Sequence, residues 1–238
     1  RLMDFDLIIV GAGLVGASLA VALKDSGLHI ALIEGRAPVA LGQDESWDNR
    51  IYAINPANAR FLDQGGAWSS LDQGRIAPVH EMHIWGDDAA ARLDFSAYQA
   101  GVEELAFIAE SRLMQDGLWR AVQGQSKVEI FCPAACAALD VAEEAATLTL
   151  EDGRALRAKL VVGADGRDSW VRSQAGIEAS PRAYGQDGVV ANFATEKPHR
   201  NAAYQWCRED GILAYLPLPG NRISIVWSAF DALSQELM

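Results

Sequence analysis

Two nearly continuous apolar runs, Asp6-Leu-Ile-Ile-Val10 and Leu28-His-Ile-Ala-Leu-Ile33, predict strands covered on both faces. Between them, apolar residues from Leu14 to Ser26 recur at helical spacing, so residues 4–34 read strand, helix, strand, as a parallel βαβ unit requires. The next stretch, through about Tyr52, is polar and irregular, with Pro38, Gly42 and Asn49. Asn55-Pro56 then offers an N-cap followed by proline in the first helical position, and Ala59, Phe61 and Leu62 carry a short helix to a stop at Gly65-Gly66. From Val79 to Phe95 the period changes to alternation, which predicts antiparallel strands with one covered face. Leu113, Met114, Leu118, Trp119 and Val122 mark a helix from about Ser111 to Val122, with Gly117 a local weakness. Val128-Glu-Ile-Phe131 returns as a strand, Ala146–Leu150 and Arg154–Arg157 read as a hairpin, and Lys159-Leu-Val-Val-Gly163 reads as a buried strand. The remainder is a series of strands near 189–193, 203–206, 213–216 and 223–227, divided by Pro217, Pro219, Gly220 and Asn221.

The interleaving predicts an α/β chain in which a Rossmann-like parallel sheet is interrupted by an antiparallel sheet. The expected boundaries are 3–78 and 108–183 for the nucleotide-binding part, and 79–107 and 184–238 for the antiparallel part. At the turn after the first strand stand Gly11, Gly13 and Gly16. In such a fingerprint the first glycine permits the tight turn, the second leaves room for a pyrophosphate, and the third lets the helix approach the sheet. The helix then offers its free N–H groups and positive end to the phosphates. Glu34, eighteen positions beyond Gly16, closes the second strand where a ribose hydroxyl needs an acceptor. Without a ligand the same residues would be a glycine-rich turn and a solvated strand end.

Composition narrows the field. The chain has 238 residues, half of them hydrophobic, enough for a substantial core. Its net charge of −12 and the lack of any Lys/Arg run argue against nucleic acid and against electrostatic docking on anionic lipid. No apolar stretch is long enough to suggest a membrane span, and the cytoplasm is the expected compartment. Cys132, Cys136 and Cys207 are expected as buried thiols, since the Cys132/Cys136 pair has no second pair or neighbouring histidines to form a zinc site. His80 and His83 lie three apart on a strand pattern and would point to opposite faces.

Gly163-Ala-Asp-Gly166 follows an apolar strand and sets the Asp165 carboxylate at its carboxyl end, where it can accept from a ribose or ribityl hydroxyl. Together with the glycine fingerprint, this element resembles the Asp-Gly motif of the flavin-dependent aromatic hydroxylases related to p-hydroxybenzoate hydroxylase. Within that class the chain is most similar to the ubiquinone-biosynthesis hydroxylases. Asp48-Asn-Arg-Ile-Tyr-Ala-Ile54, Ala109-Glu-Ser-Arg-Leu-Met-Gln115, Gly211-Ile-Leu-Ala-Tyr-Leu-Pro-Leu-Pro219 and Arg222-Ile-Ser-Ile-Val-Trp227 carry that likeness.

The resemblance implies FAD held by Gly11, Gly13, Gly16, Glu34 and Asp165, with Arg50 reaching the cofactor from the loop after the second strand. Gln115 and Arg36 are further cofactor candidates. It implies NAD(P)H as reductant and transfer of one oxygen atom from dioxygen to the ring of a polyprenylated phenol or quinol, with no catalytic side chain required because the flavin carries the chemistry. Trp85, Phe95, Tyr204, Trp206, Tyr215 and Trp227 would suit an apolar pocket or, equally, a sheet core. Other quinone-biosynthesis proteins, a peripheral membrane contact and self-association are the implied partners.

The family pattern also includes a third cofactor element, Gly-Asp followed by small residues, which this sequence does not contain up to Met238. The 238 residues are therefore expected to be an N-terminal portion that holds the ADP half of FAD and binds the whole cofactor weakly. Two further readings stand beside this one. One is another flavin oxidoreductase of the same fold, and the other is a non-catalytic subunit with a degenerate flavin site.

Overall fold

The structure, a computed structural model, describes residues 3–41, 46–88 and 90–237; Gly42, expected in the irregular stretch before Tyr52, lies outside them. The described chain divides into two compact units, each discontinuous in sequence. One comprises residues 3–41, 61–71 and 114–180, the other 46–60, 72–113 and 181–237.

The first unit is built on a six-stranded sheet. Its parallel part runs, in spatial order, Val128–Phe131, Ile30–Ile33, Phe5–Val10, Ala155–Gly163. Ala146–Leu150 and Cys136–Val141 add antiparallel neighbours beyond it. The apolar runs are continuous because both faces of the central strands are buried. Ile8, Val10 and Ile33 pack into one core with Phe131, Leu148 and Leu156. Leu7, Ile9, Ile30 and Leu32 pack into the other, against Ala17 and Val21 of the helix Leu14–Ala22 and Leu118 and Val122 of the helix Ser111–Gln123. Full burial of each such side chain contributes about 1.5–3 kcal/mol. The first helix ends at Ala22, four residues before the predicted stop. Gly117 has a packing role, since a Cβ there would stand 2.3 Å from Leu71 Cδ2.

The second unit holds a six-stranded sheet in the order Gln186–Ala194, Arg222–Phe230, Gly211–Leu218, Ala202–Arg208, Glu81–Trp85, Arg92–Ser96. All its pairs are antiparallel except Ala202–Arg208 with Glu81–Trp85. A three-stranded sheet, Ile51–Ile54, Ala106–Glu110 and Ala77–Val79, shares a core with it through Ala77, Val79, Ile108, Ala203 and Leu218. That pairing places 46–60 and 72–78 in this unit, although the sequence pattern grouped them with the nucleotide-binding part. Asn55 caps the helix Pro56–Gln64 as expected, its Oδ1 accepting from the N–H of Asn58 at 2.8 Å. Cys132, Cys136 and Cys207 are free thiols and only half-buried, short of the full burial expected. Among the described residues, no helix is long and apolar enough to cross a membrane.

Candidate functional site

The turn between Val10 and Leu14 is shaped by its backbone. Gly11 adopts φ +98°, a region that L side chains rarely enter, and a Cβ there would meet Ala164 O at 2.3 Å. Gly16 lies directly beneath, where a Cβ would stand 1.8 Å from Gly11 O. Gly11 and Gly16, five residues apart, therefore serve contact between turn, helix and the Asp-Gly strand end. Gly13 is different: its φ is an ordinary −66°, and nothing lies within 4 Å of the place a Cβ would take. It caps the helix Leu14–Ala22 with no side-chain bond to the first-turn N–H groups, which leaves those donors facing an anion-sized space.

Ala12, between the two glycines, is held from both ends. Glu34 Oε2 accepts from its N–H at 2.7 Å, and Gln115 Nε2 donates to its carbonyl at 2.7 Å. Glu34 Oε1 accepts from the N–H of Arg36 at 3.0 Å. Both carboxylate oxygens thus accept from backbone N–H groups, Oε2 from the turn and Oε1 from the residues after its own strand, and each keeps a further lone pair. Gln115 serves the turn's shape in the same way.

Asp165 is also engaged within the chain. It accepts a short hydrogen bond from the Ser169 hydroxyl at Oδ1 and the N–H of Val171 at Oδ2, 3.1 Å away. Ser169 in turn caps the short helix Trp170–Gln174 by accepting from Arg172 N. Burial pushes the Asp165 carboxyl up, but the bonds from Ser169, Val171 and Trp170 outweigh it and leave the group below the ordinary carboxylate value. The Asp165 anion is therefore firmly held at neutral pH.

Gly11, Gly13, Glu34, Asp165, Gly166 and Cys136 line one open cavity of about 340 Å³ at the carboxyl ends of the parallel strands, where nucleotides bind in open α/β sheets. Cys136 is a residue that the sequence reading did not associate with the site. Burial pushes its thiol up to about 11, with Asp165 and Glu151 adding to the shift, so it is neutral at physiological pH. Gln115 joins this group through Ala12. Arg36 contributes its backbone N–H, and its residue is exposed. Arg50 belongs to the second unit, where its N–H donates to Asp48 Oδ1 at 3.0 Å and its carbonyl accepts from Ser111 N at 2.9 Å.

The residues fit a dinucleotide. The space at Gly13 would be filled by any side chain, helix donors face it uncapped, and acceptors stand at the strand ends.

The profile of the family described as FAD binding domain matches residues 4–235. Ubiquinone hydroxylase UbiL of Rhodospirillum rubrum is 35% identical over 98% of this chain and 54% of its own length. The 3-demethoxyubiquinol 3-hydroxylase of Escherichia coli is 32% identical over 98% of this chain and 59% of its own. The chain thus spans little more than half the length of these curated relatives. Among solved structures, a mutant of Pseudomonas aeruginosa PqsL superposes with a TM-score of 0.81 at 25% identity, covering 98% of this chain and 63% of that one. A Klebsiella pneumoniae HpxO variant complexed with FAD shares the fold, with a TM-score of 0.70 at 18% identity over 94% and 57% of the two chains.

Proposed function

Because the chain belongs to the FAD binding domain family, we propose that its first unit holds the ADP half of FAD and that the whole protein hydroxylates a polyprenylated phenol or quinol in ubiquinone biosynthesis, with NAD(P)H as reductant. The observation that carries the cofactor assignment is the clamped turn, in which Ala12 is fixed by Glu34 and Gln115 beside an open space at Gly13. The reaction class is supported by the two hydroxylases named above, each more than 30% identical over nearly the whole of this chain.

Bound FAD supplies what side chains lack, two-electron reduction by NAD(P)H and activation of dioxygen. The chain's own part is binding and orientation. Gly11 and Gly16 keep the turn close to the sheet, Gly13 leaves the pyrophosphate its room, and the first-turn N–H groups of the helix donate to phosphate oxygens. Glu34 and Asp165 accept from sugar and ribityl hydroxyls with the lone pairs that their internal bonds leave over. Gln115 holds Ala12 by donating to its carbonyl. The second unit, with its large sheet, is the part that meets the aromatic substrate. The reading places the protein in the cytoplasm, touching the membrane peripherally where a polyprenyl tail resides and working beside other quinone-biosynthesis proteins.

The test uses the full-length parent with NAD(P)H, isotopically labelled dioxygen and a polyprenylated phenol. The product should gain one oxygen atom, and that atom should carry the label. Label arriving from water, or reductant oxidised without any substrate gaining oxygen, would refute the assignment.

A further inference from the structure

His199 is half-buried in the connection between the strands Gln186–Ala194 and Ala202–Arg208 of the second unit, and both its ring nitrogens are committed to backbone. Nδ1 stands 2.9 Å from Asn201 N, and Nε2 stands 2.7 Å from the carbonyl oxygen of Leu218, a residue 0% exposed. A backbone N–H can only donate and a carbonyl can only accept, so Nδ1 must present a lone pair and Nε2 a proton. One form of the ring meets both demands, the neutral Nε2–H tautomer. The imidazolium has a proton on each nitrogen, and its Nδ1–H would face the Asn201 N–H, donor against donor.

The backbone at this turn does not hold itself. Arg200 and Asn201 adopt φ of 55° and 56°, and among the described residues they alone, apart from glycines, have positive φ. Asn tolerates that region but Arg does not favour it, so the turn persists because its surroundings impose it. From the turn a run of backbone bonds continues through the unit: the Asn201 carbonyl accepts from His80 N at 2.8 Å, and the His80 carbonyl accepts from Ala97 N at 2.8 Å. His80 directly precedes the strand Glu81–Trp85, whose parallel pairing with Ala202–Arg208 begins at Glu81 and Ala202. Farther along, that pairing is backed by rings, His83 on Tyr204 and Trp85 on Trp206, each with centroids 5.4 Å apart. At its first rung the turn and its histidine take that place. The same corner, with His80, Ser96, Ala97 and Val102, lines an open cavity of about 360 Å³.

We propose that His199 is a proton-sensitive latch, which when neutral pins the turn to Leu218 and holds the start of the Glu81–Trp85 strand, and when protonated releases that corner and one wall of the cavity. The closed turn requires the lone pair on Nδ1 and the released turn does not, so protons favour release. The latch is closed at high pH and opens as pH falls through the range in which histidine changes charge. The other ionisable side chains on the elements it joins are Lys197 and Arg200 in its own connection, Arg222 beside the Pro219 carbonyl at 3.5 Å, and His80 and Glu81 on the strand beyond. Among the described residues, no carboxylate bonds to either nitrogen of the His199 ring.

Two measurements on the intact chain test this. Long-range proton–nitrogen spectra of the histidine rings read the tautomer, and amide-exchange protection factors, which remove the chemical pH dependence of exchange, read the corner. At about pH 7.5 His199 should show the Nε2–H form. Between about pH 7.5 and about pH 5.5, protection of the Asn201 and His80 amides should fall about tenfold relative to Ala214 and Val226 in the middle of the sheet, as loss of one hydrogen bond implies. His199→Asn sets an amide oxygen two residues before the Asn201 N–H, as in an Asx turn, and does not titrate, so its corner should be equally protected at both pH values. His199→Ala should already be about tenfold less protected at the higher pH. An Nδ1–H tautomer at the higher pH overturns the latch, as does protection in the parent that does not change with pH. A fall of the same size in His199→Asn also overturns it, because another group such as His80 is then the sensor. If His199→Ala does not fold, the parent and His199→Asn still decide the matter.

Discussion

Gly13→Val and Gly16→Ala should fail in opposite ways, although both alter the same turn. At position 16 even a methyl group would stand 1.8 Å from Gly11 O, whereas contact becomes ordinary only near 3.4 Å, so the backbone would have to open by about 1.6 Å. Overpacking of that kind costs about 1–3 kcal/mol, and each kcal/mol lowers the melting temperature of a chain this size by roughly 2–4 °C. Gly16→Ala should therefore melt roughly 2–12 °C lower than the parent. At position 13 the backbone is extended and the side-chain space open, so Val meets no protein atom within 4 Å at its Cβ. The loss of a favourable N-cap and the reduced freedom of the unfolded chain nearly offset each other there, leaving stability within about 1 kcal/mol of the parent. FAD affinity should nonetheless fall. Displacing the phosphates from one charge-assisted N–H bond costs about 1.5–3 kcal/mol, which is roughly 10- to 150-fold in Kd. Differential scanning fluorimetry and a flavin titration on each variant decide the matter. A folded Gly13→Val protein with the parent's affinity would end the assignment of the turn as a pyrophosphate site, and equal destabilisation by both substitutions would contradict the open space at Gly13.

Glu34→Gln leaves one acceptor where two backbone N–H groups, those of Ala12 and Arg36, now bond. It should lower the melting temperature by roughly 2–4 °C as well as weaken FAD about tenfold, and an unmoved melting temperature would show that the clamp on Ala12 carries no strain. Asp165→Asn tests a linkage. Because the folded carboxyl lies below its ordinary 3.8, its contribution is complete above that pH and disappears as pH falls through the lower folded value. The variant should be less stable than the parent at pH 7 and converge with it in acid, and a constant gap below pH 3.8 would rule this out. Cys136, with its thiol pushed up to about 11, should be alkylated slowly at pH 8, about tenfold faster per pH unit up to pH 10, and more slowly once FAD is added. Alkylation indifferent to FAD would remove Cys136 from the cofactor's surroundings.

The first βαβ unit could be read from the sequence because its strands are buried on both faces and leave unbroken apolar runs. Cys136–Val141 could not, since its residues are exposed or only half-buried and no alternation emerges. Ile51–Ile54 was hidden for another reason. It is four residues long, beside a polar stretch, and is a strand only because Ala106–Glu110 pairs with it. In the site, the positions of Gly11, Gly13, Glu34 and Asp165 were legible from spacing, but their immediate partners were not. Glu34 and Gln115 bond to the backbone of Ala12, 22 and 103 residues away, and a main-chain target leaves no trace in side-chain pattern. Ser169 did offer a signal, a serine directly before the helix Trp170–Gln174, and reading it as a cap would have tied Asp165 to that helix. The bond from His199 to the Leu218 carbonyl spans 19 positions and falls in no motif, so only the folded chain brings it out.

Among the described strands, Phe5–Val10 waits longest during synthesis for a neighbour. Phe5–Val10 takes its second partner from Ala158–Gly163, some 150 residues later, and at a synthesis rate of about 5–20 residues per second that is roughly 8–30 s with one hydrogen-bonding edge unfilled. The same late segment brings Ala164, whose N–H donates to Val10 O and whose backbone closes over Gly11. Gln115, the hold on Ala12, also arrives long after the turn it steadies. A nascent chain therefore carries the glycine turn and Glu34 early without being able to use them. Cofactor capture reports on completed assembly instead of guiding it: the unfinished chain, with that edge open, is the natural client for chaperones, and cells starved of riboflavin should accumulate a finished chain whose turn is formed but empty.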